Sequence, residues 1–417
     1  MDGVMFEGAS RPAVQKEFDS TIAKRGEPFL VVTLVTTGPQ STNNTPVIVQ
    51  GSPLKGKIHL SLKKPDAIFS IILTVRGMIV TGGGAFGSFD GYTFVFLDQK
   101  YTQQKAALKG DHTWPFSIDL PDEAEMTEGV DHQPKMFRLP QTFHQRFIHA
   151  TIKYEVEVKI TRKGILKSND TLSAPFIYIP VIRPPPLPPL RRLAYEEGIP
   201  LLGPKIDPDG WLLPKTVEIK GTLLNNRRAT RSVECRLFLA KPLSYTRGSV
   251  IPLFLTLESD DKQVLDLLSS PQAISVRVRR RTRYNSEPHK AFESKVWRDD
   301  VDHSQRAVWS HATDYAGEEP PDSLRMLDGE LHLKSEMAPT SAMGNYSINY
   351  SVVLLSFNTP GFKVEEGPVL LEHPITIVTS FAPGPRPKAT TPADFTPDIR
   401  AKADELQTNG EFSRGFY

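Results

Sequence analysis

Apolar residues recur at every second position along much of this chain, which is the spacing of β-strands rather than of helices. Between Ile152 and Ile160, for example, the apolar side chains alternate with Lys and Glu. Similar runs begin at Phe29, are rich in Val, Ile, Thr and Phe, and are separated by Gly, Pro, Asn and Asp. The pattern predicts an all-β chain, with one short helix expected at 99–109.

The order of these runs occurs twice. A turn at Gly56 is followed by a strand-like run and a second alternating run, and the same succession starts again at Gly248. Two later segments also have counterparts: 149–164 matches 344–361, and 174–182 matches 373–381. A duplicated β chain predicts two tandem immunoglobulin-like β-sandwich domains. Such an arrangement is typical of a platform for partners rather than of a single catalytic pocket.

Breaks in the strand pattern divide the chain into segments, because Pro-rich and polar stretches cannot continue a sheet or a core. The predicted organisation is a flexible N-terminus (1–26), a first sandwich (27–183), a Pro-rich linker (184–212), a second sandwich (213–381) with an insertion loop (285–323), and a disordered tail (382–417).

Composition and charge restrict the function classes. The 417 residues are 39% hydrophobic and 24% charged, with a net charge of +2, so a generally nucleic-acid-binding surface is not expected. Cys235 is the single cysteine, which rules out an intrachain disulfide and fits a reducing compartment. The first residues lack the apolar core of a signal peptide, and no apolar run approaches about 18 residues. A cytoplasmic location is therefore expected.

The sequence offers little for catalysis or cofactors. Gly82, Gly84 and Gly87 satisfy G-x-G-x-x-G, but a strand-like run follows them, whereas a dinucleotide site needs a helix there. No histidine spacing typical of a metal site and no G-x-S-x-G elbow is present. Cys235 sits in a strand pattern and is expected to be a buried, inert thiol. We therefore predict a protein that is not an enzyme and has no cofactor or metal.

The run RVRRRTRY is the sharpest charge feature. On an extended strand four arginines share one face, about 6.6 Å apart: Arg277, Arg279, Arg281 and Arg283. Guanidinium groups in such a ladder could bind a phosphorylated tail or an anionic lipid head group. The alternative is an exposed strand face whose charges repel each other and prevent edge-to-edge pairing.

The linker sequence PPPLPPLRR also has two interpretations. Pro186, Pro189 and Arg191 fit the PxxPx+ pattern of SH3 ligands, and Pro185 to Pro188 fit a PPLP-type WW ligand. Alternatively, residues 184–190 form a stiff polyproline II spacer between two domains.

Several segments together resemble the arrestin fold family. They are GKIHLSLKKP from Gly56, GDHTWPFSIDLP from Gly110, IHATIKYEVEVKI from Ile148 and, in the second copy, YTRGSVIPLFLTLES from Tyr245. The resemblance covers roughly 29–381 and is closer to the α-arrestins, the arrestin-related trafficking adaptors, than to the receptor-desensitising arrestins. It implies two sandwiches that bind cargo tails through concave sheet faces, without catalysis.

The resemblance implies an adaptor or scaffold for membrane-protein tails in endocytosis, protein transport or signalling, acting in the cytoplasm or at the periphery of the plasma membrane or endosomes. α-Arrestins recruit a ubiquitin ligase through PPxY motifs, and this sequence contains no PPxY. The expected partners are therefore cytoplasmic tails of membrane proteins, SH3 or WW proteins and anionic lipid. A ubiquitin ligase would have to be recruited without a PPxY motif. An alternative is a structural subunit of an endosomal sorting coat, similar to the arrestin-like retromer subunit.

Overall fold

The structure is a computed structural model. It describes residues 15–37, 44–81, 92–104, 108–128, 133–145, 148, 150–162, 168–223, 226–285, 297–312, 321–344 and 346–392. Strands dominate, and the described part of the chain contains two short α-helices. The predicted all-β class is confirmed. The glycines of the G-x-G-x-x-G match (Gly82, Gly84 and Gly87) lie outside the described residues.

The chain divides into two compact units. The first comprises the described residues of Met1–Pro180, Tyr284–Arg298 and Ala342–Tyr346. The second comprises those of Val181–Arg283, Asp299–Ser341 and Ser347–Tyr417. Each unit is therefore of a size that can enclose its own hydrophobic core.

Two sheets build the first unit. Its strands are β1 (Lys16–Lys24), β2 (Glu27–Thr36), β3 (Val47–Val49), β4 (Leu54–Asp66), β5 (Ile68–Thr81), β6 (Tyr92–Gln104), β7 (Leu108–Ile118), β8 (Glu123–Glu128), β9 (Gln133–Arg138), β10 (Phe143–His144), β11 (Ala150–Arg162) and β12 (Asp170–Ile179). One sheet has the order β1-β2-β4-β7 and the other β3-β12-β11-β5-β6, with β10 beside β11. Strands β8 and β9 pair separately.

Strand β11 carries the alternation that its sequence predicts. Every second residue from Ala150 to Ile160 is buried, whereas Lys153 and Lys159 are exposed. The strand lies between β5 and β12 and is antiparallel to both. One face of this central strand therefore contributes a continuous row of apolar side chains to the core.

The elements after β12 begin with a helix. In chain order they are α1 (Pro189–Glu197), a 3-10 helix (Pro208–Gly210), β13 (Trp211–Leu212), β14 (Thr216–Leu223), β15 (Asn226–Ala240), β16 (Ser244–Thr246), β17 (Val250–Glu258), α2 (Lys262–Leu268), β18 (Val276–Asn285), β19 (Trp297–Arg306), β20 (Val308–His311), β21 (Leu324–His332), β22 (Ser341–Met343), β23 (Tyr346–Leu355), β24 (Phe362–Val364) and β25 (Val369–Val378). The seven-stranded sheet has the order β20-β21-β17-β15-β14-β24, with β13 beside β15. The six-stranded sheet has the order β16-β25-β23-β18-β19, with β22 beside β23.

The duplication predicted from the sequence is present in the strand pairing. Strand β3 runs parallel to β12, and β16 runs parallel to β25. The orders β12-β11-β5-β6 and β25-β23-β18-β19 correspond, as do β1-β2-β4-β7 and β14-β15-β17-β21. The matched segments of the sequence therefore occupy equivalent strands in two sandwiches of the same topology.

The correspondence extends to one tyrosine hydrogen bond in each sandwich. The Tyr154 hydroxyl donates to the Pro140 carbonyl, and the Tyr350 hydroxyl to the Ala338 carbonyl, each at 2.6 Å. In each case the tyrosine is on the central strand and the acceptor precedes the short strand beside it. Both buried hydroxyls are thereby satisfied, and each tethers a loop to the sheet.

Three predicted boundaries need correction. The segment 1–26 is not wholly flexible, because β1 pairs with β2 along its length. The helix expected at 99–109 is wrong, since residues 99–104 belong to β6, which pairs with β5, and residues 108 and 109 begin β7. The insertion loop 285–323 contains β19 and β20. In each case hydrogen bonds to a neighbouring strand outweigh the local sequence preference.

The linker and the tail also differ from their predicted states. Residues 189–197 of the linker 184–212 form α1, which starts with a proline, whose missing N–H costs nothing at the first helical position. Gly198 closes this helix at φ 70°, a backbone conformation that glycine adopts without strain. Residues 382–392 of the tail have a defined course, whereas 393–417 lie outside the described residues.

Candidate functional site

The arginine series lies on β18, an internal strand with β23 on one side and β19 on the other. It is therefore not an edge strand, and its charges do not protect an open edge. Arg277 is only 6% exposed, and its Nε has no hydrogen-bond acceptor among the described residues. This end of the series is buried rather than presented to solvent.

The remaining arginines of the series become more exposed along the strand. The Arg279 side chain is 12% exposed and donates to Glu372 at 2.6 Å. Arg281 is exposed, and Arg283 lies 3.6 Å from Asp299. The open four-membered ladder expected from the sequence is thus reduced to Arg281 and Arg283. Anion binding there stays a prediction.

The SH3-type motif in the linker has a different structure from the one that such domains bind. Pro189 is the first residue of α1, so the extended conformation ends at Pro188. Arg191 is 3% exposed, and its Nη1 donates to the Lys241 carbonyl at 2.6 Å. Its guanidinium also stacks 4.8 Å from the centre of the Trp211 ring. In this structure Arg191 is not accessible to the acidic residues of an SH3 domain, and SH3 docking stays a prediction.

The WW-type motif is partly accessible. Pro185 and Pro186 are exposed, and Leu187 and Pro188 are half-buried. Pro185 and Leu187 line a cleft in the second unit. WW docking at these residues and the spacer interpretation both stay predictions.

That cleft measures about 540 Å³ when counted out to its open mouth. Its walls come from the linker, from the loop around the cis-Pro242 peptide, from β16 and β17, and from the tail. Aromatic, proline and aliphatic side chains form most of the lining: Pro184, Leu187, Tyr195, Tyr245, Val250 and Pro252. Burial raises the pKa of Tyr195 to about 12, so this hydroxyl is neutral at physiological pH.

The cleft opens on what we call the outer face of the seven-stranded sheet. The other side of β17 and β21 faces the core with Leu253, Leu255 and Leu331, all of which are fully buried. The outer face carries the residues that alternate with these, including Pro252, Phe254, Asp328, Glu330 and His332. Trp211, from the end of the linker, packs against Phe254 on this side. The outer face thus combines an apolar patch at Phe254 and Pro252 with a buried carboxylate.

Residues 381–392, which we call the strap, run along this face without regular secondary structure. Five of the strap residues line the cleft: Phe381, Ala382, Pro383, Pro385 and Pro387. Near its C-terminal end the strap contacts Glu330, which is 7% exposed. One carboxylate oxygen of Glu330 accepts from the Thr390 amide and hydroxyl, each at 2.8 Å, and the other accepts from the Thr391 amide at 2.8 Å and hydroxyl at 2.6 Å.

No motif in the sequence signals this contact or the ion cluster in the first unit. In that cluster Arg162 donates to Asp66 at 2.6 Å and lies 2.7 Å from Asp170, which Lys24 also binds. Burial alone would lower the pKa of Arg162, but the bonds to the two carboxylates outweigh it and raise that pKa. The charged groups of this cluster are paired with one another, so we interpret the cluster as structural rather than as a binding site.

The structure also bears on the single cysteine, on metal binding and on membrane-spanning helices. Cys235 is fully buried, and burial raises the pKa of its thiol to about 12, which fits the inert thiol expected. No group of three or more His, Cys, Asp or Glu side chains within the described ranges could hold a metal ion. Of the helices that the structure describes, none is long and apolar enough to cross a membrane.

No protein-family model matches the chain, and no curated protein matches it either. Inferences about function therefore depend on the sequence pattern and on the geometry of the outer face.

Proposed function

We propose that this chain is a non-catalytic, arrestin-like adaptor that binds extended cytoplasmic segments of membrane proteins or of the trafficking machinery. Its role would lie in endocytosis, protein transport or signalling. The observation that supports the proposal most directly is the strap, a proline-rich extended segment held on the outer face of the second unit. A surface that holds one such segment has the chemistry to hold others.

The contacts of the strap suggest which segments would bind. Prolines lie among aromatic and aliphatic side chains in the cleft, as in other recognition of preformed polyproline-like chains. Glu330 supplies an acceptor for backbone amides and hydroxyls at one end. The favoured ligand is therefore an extended, proline-containing segment that ends in Ser or Thr.

The strap also limits this binding, because a partner segment would compete with it for the cleft. Replacement of the two strap threonines by the isosteric valine (T390V together with T391V) removes two hydroxyl donors to the Glu330 carboxylate and keeps the shape. We expect capture of proline-containing cytoplasmic-tail peptides to rise roughly tenfold. The measurement is binding of the purified full chain to immobilised tail peptides.

A matched control is T359V, which changes another threonine that precedes a proline but lies outside the strap. A synthetic peptide of residues 381–392 should compete with the captured peptides. Equal capture by the variant, the control and the parent, with no competition by the peptide, would refute the proposed binding face.

A further inference from the structure

We propose that Thr391 is a phosphorylation site for a proline-directed protein kinase, and that its phosphate releases the strap from the outer face. The residue after Thr391 is Pro392, as that kinase class requires. Thr391 is half-buried, with Thr390 and Pro392 exposed beside it. Thr391 is hydrogen-bonded to the buried carboxylate of Glu330, so a change at its hydroxyl has a structural consequence.

The hydrogen-bond directions at Thr391 can be assigned from its single proton. Its Oγ1 lies 2.6 Å from Glu330 and 3.0 Å from Nε2 of His332. The carboxylate can only accept, so the hydroxyl proton goes to Glu330, and Oγ1 then accepts from an Nε2–H of His332. Phosphorylation removes the proton that makes the shorter of these two bonds.

The reaction is an ordinary phosphoryl transfer from a nucleoside triphosphate. A bond forms between Oγ1 of Thr391 and the γ-phosphorus, while the bond from that phosphorus to the bridging oxygen of the β-phosphate breaks. The hydroxyl proton passes to the base of the kinase, and the nucleoside diphosphate leaves. The kinase acts on the strap when it is transiently detached, and the product cannot dock again.

Charge explains why the product cannot dock. Phosphothreonine carries about −1.5 to −2 charges at neutral pH and would stand against Glu330, with Asp328 two residues away on the same face. The cationic candidates are His332 on β21, beside Glu330, and two exposed residues of the strap, Lys388 and Arg386, of which Arg386 lies over the Phe381 ring. One imidazole does not balance two carboxylates and a phosphate in a site this buried, so repulsion and the lost donor act together.

Release of the strap would uncover the cleft that it lines. If that cleft binds partner segments, then the kinase controls when the adaptor can bind, and this consequence rests on the proposed function. The release itself does not, because it concerns only contacts within the chain. It can therefore be tested without any partner.

The test uses the full chain, phosphorylated at Thr391 by a proline-directed kinase and ATP, and in parallel the T391E variant. Hydrogen–deuterium exchange of the amides at 390 and 391 should become about ten- to a hundredfold faster. Trypsin should cut faster after Lys388, which lies in the strap. The control T359E adds the same charge at another Thr-Pro pair and should leave both measurements unchanged.

A second variant separates repulsion from loss of structure. Glu330→Gln keeps an acceptor at the same place without the charge, so in the phosphorylated chain it should restore part of the protection. Two results would overturn the proposal. One is failure of the kinase to modify Thr391 in the full chain, and the other is a phosphorylated chain whose strap amides exchange as slowly as before. Release without any gain in peptide capture would instead leave this inference standing and count against the proposed function.

Discussion

The outer faces of the two corresponding sheets differ, although the sheets share strand order and pairing. On the β1-β2-β4-β7 sheet this face is polar: Lys57 pairs with Glu17 at 3.0 Å, and His59 with Thr113 at 3.0 Å. On the seven-stranded sheet this face has a polar part, where Arg236 pairs with Glu258 at 3.1 Å, and an apolar part with Phe238, Phe254 and Pro252 beside a buried Glu330. A polar face is satisfied by cross-strand pairs and water, whereas an apolar one needs a cover.

The second unit provides that cover from its own chain. Trp211 at the end of the linker packs on Phe254, and the strap lines the cleft and ends on Glu330. The same strand order thus supports two different surfaces, and of the two only the second has an apolar patch covered by the linker and the strap. The difference shows that one strand order can support surfaces of different chemistry, so the topology alone does not determine what a face can bind.

The largest expected effect comes from adding a methyl group at one closely packed glycine in each sheet, which tests whether the two sheets are packed equally tightly. Each has a glycine opposite an aromatic residue, Gly56 with Phe116 and Gly329 with Trp309. A Cβ on Gly56 would lie 2.3 Å from the Thr33 carbonyl oxygen, which is backbone, whereas one on Gly329 would meet the Trp309 ring at 2.5 Å. Gly56→Ala should therefore cost about 3 kcal/mol and Gly329→Ala about 1–2 kcal/mol, because an edge-strand ring can shift.

Denaturant unfolding would measure the loss of unfolding free energy in each variant. Hydrogen exchange, resolved peptide by peptide, would show which unit is destabilised. The glycines act as each other's controls, since both changes add one methyl group. Equal losses would mean that the backbone around Gly56 yields as easily as a side chain on an edge strand. The packing of the two sheets would then be more alike than their contacts indicate.

A smaller effect is expected at the repeated tyrosines. Tyr154→Phe and Tyr350→Phe each remove a 2.6 Å hydrogen bond and leave a carbonyl without its partner. Each should lower the free energy of unfolding of its own unit by about 1–2 kcal/mol. Tyr178→Phe is the matched control, because this buried hydroxyl has no partner among the described residues, and it should be nearly neutral. A loss at only one of the two positions would contradict the equivalence of the units.

The sequence predicts well the features that depend on local alternation. Residues 152–160 form the central strand because their period of two needs only one buried face. The duplication was predictable for the same reason, since turns and strand-like runs recur in order. At 99–109 the Gln, Lys and Ala residues favour a helix locally, but pairing with β5 outweighs that preference.

The candidate site was not predictable because its contacts join distant residues. Thr390 binds Glu330, 60 positions earlier, and no spacing in the sequence signals such a bond. The strap looks disordered by composition because Pro and Thr cannot form a core, yet it is ordered by the face beneath it. The burial of Arg191 was not predictable either, because Pro189 fits both a polyproline segment and the first turn of a helix.

The smallest expected effect compares two carboxyl groups whose pKa values move in opposite directions. Burial and the neighbouring Glu330 raise the pKa of Asp328 to about 6. In the unfolded chain it is about 3.9, so the charged form opposes folding above pH 6, and this penalty disappears as the pH falls below about 4. Asp328→Asn should stabilise the second unit by about 1 kcal/mol at pH 7, after allowance for solvent screening, and have no effect near pH 4.

Asp170 in the first unit supplies the opposite case. Burial tends to raise the pKa of Asp170, but its bonds to Lys24 and Arg162 outweigh burial and lower it. The stability that Asp170 contributes is present above pH 4 and is lost as the pH falls through its folded-state pKa. Asp170→Asn should therefore destabilise the first unit at pH 7, measured by unfolding at several pH values. Destabilisation by Asp328→Asn at pH 7 would mean that the outer face tolerates a second charge, and the contrast between the two faces would weaken accordingly.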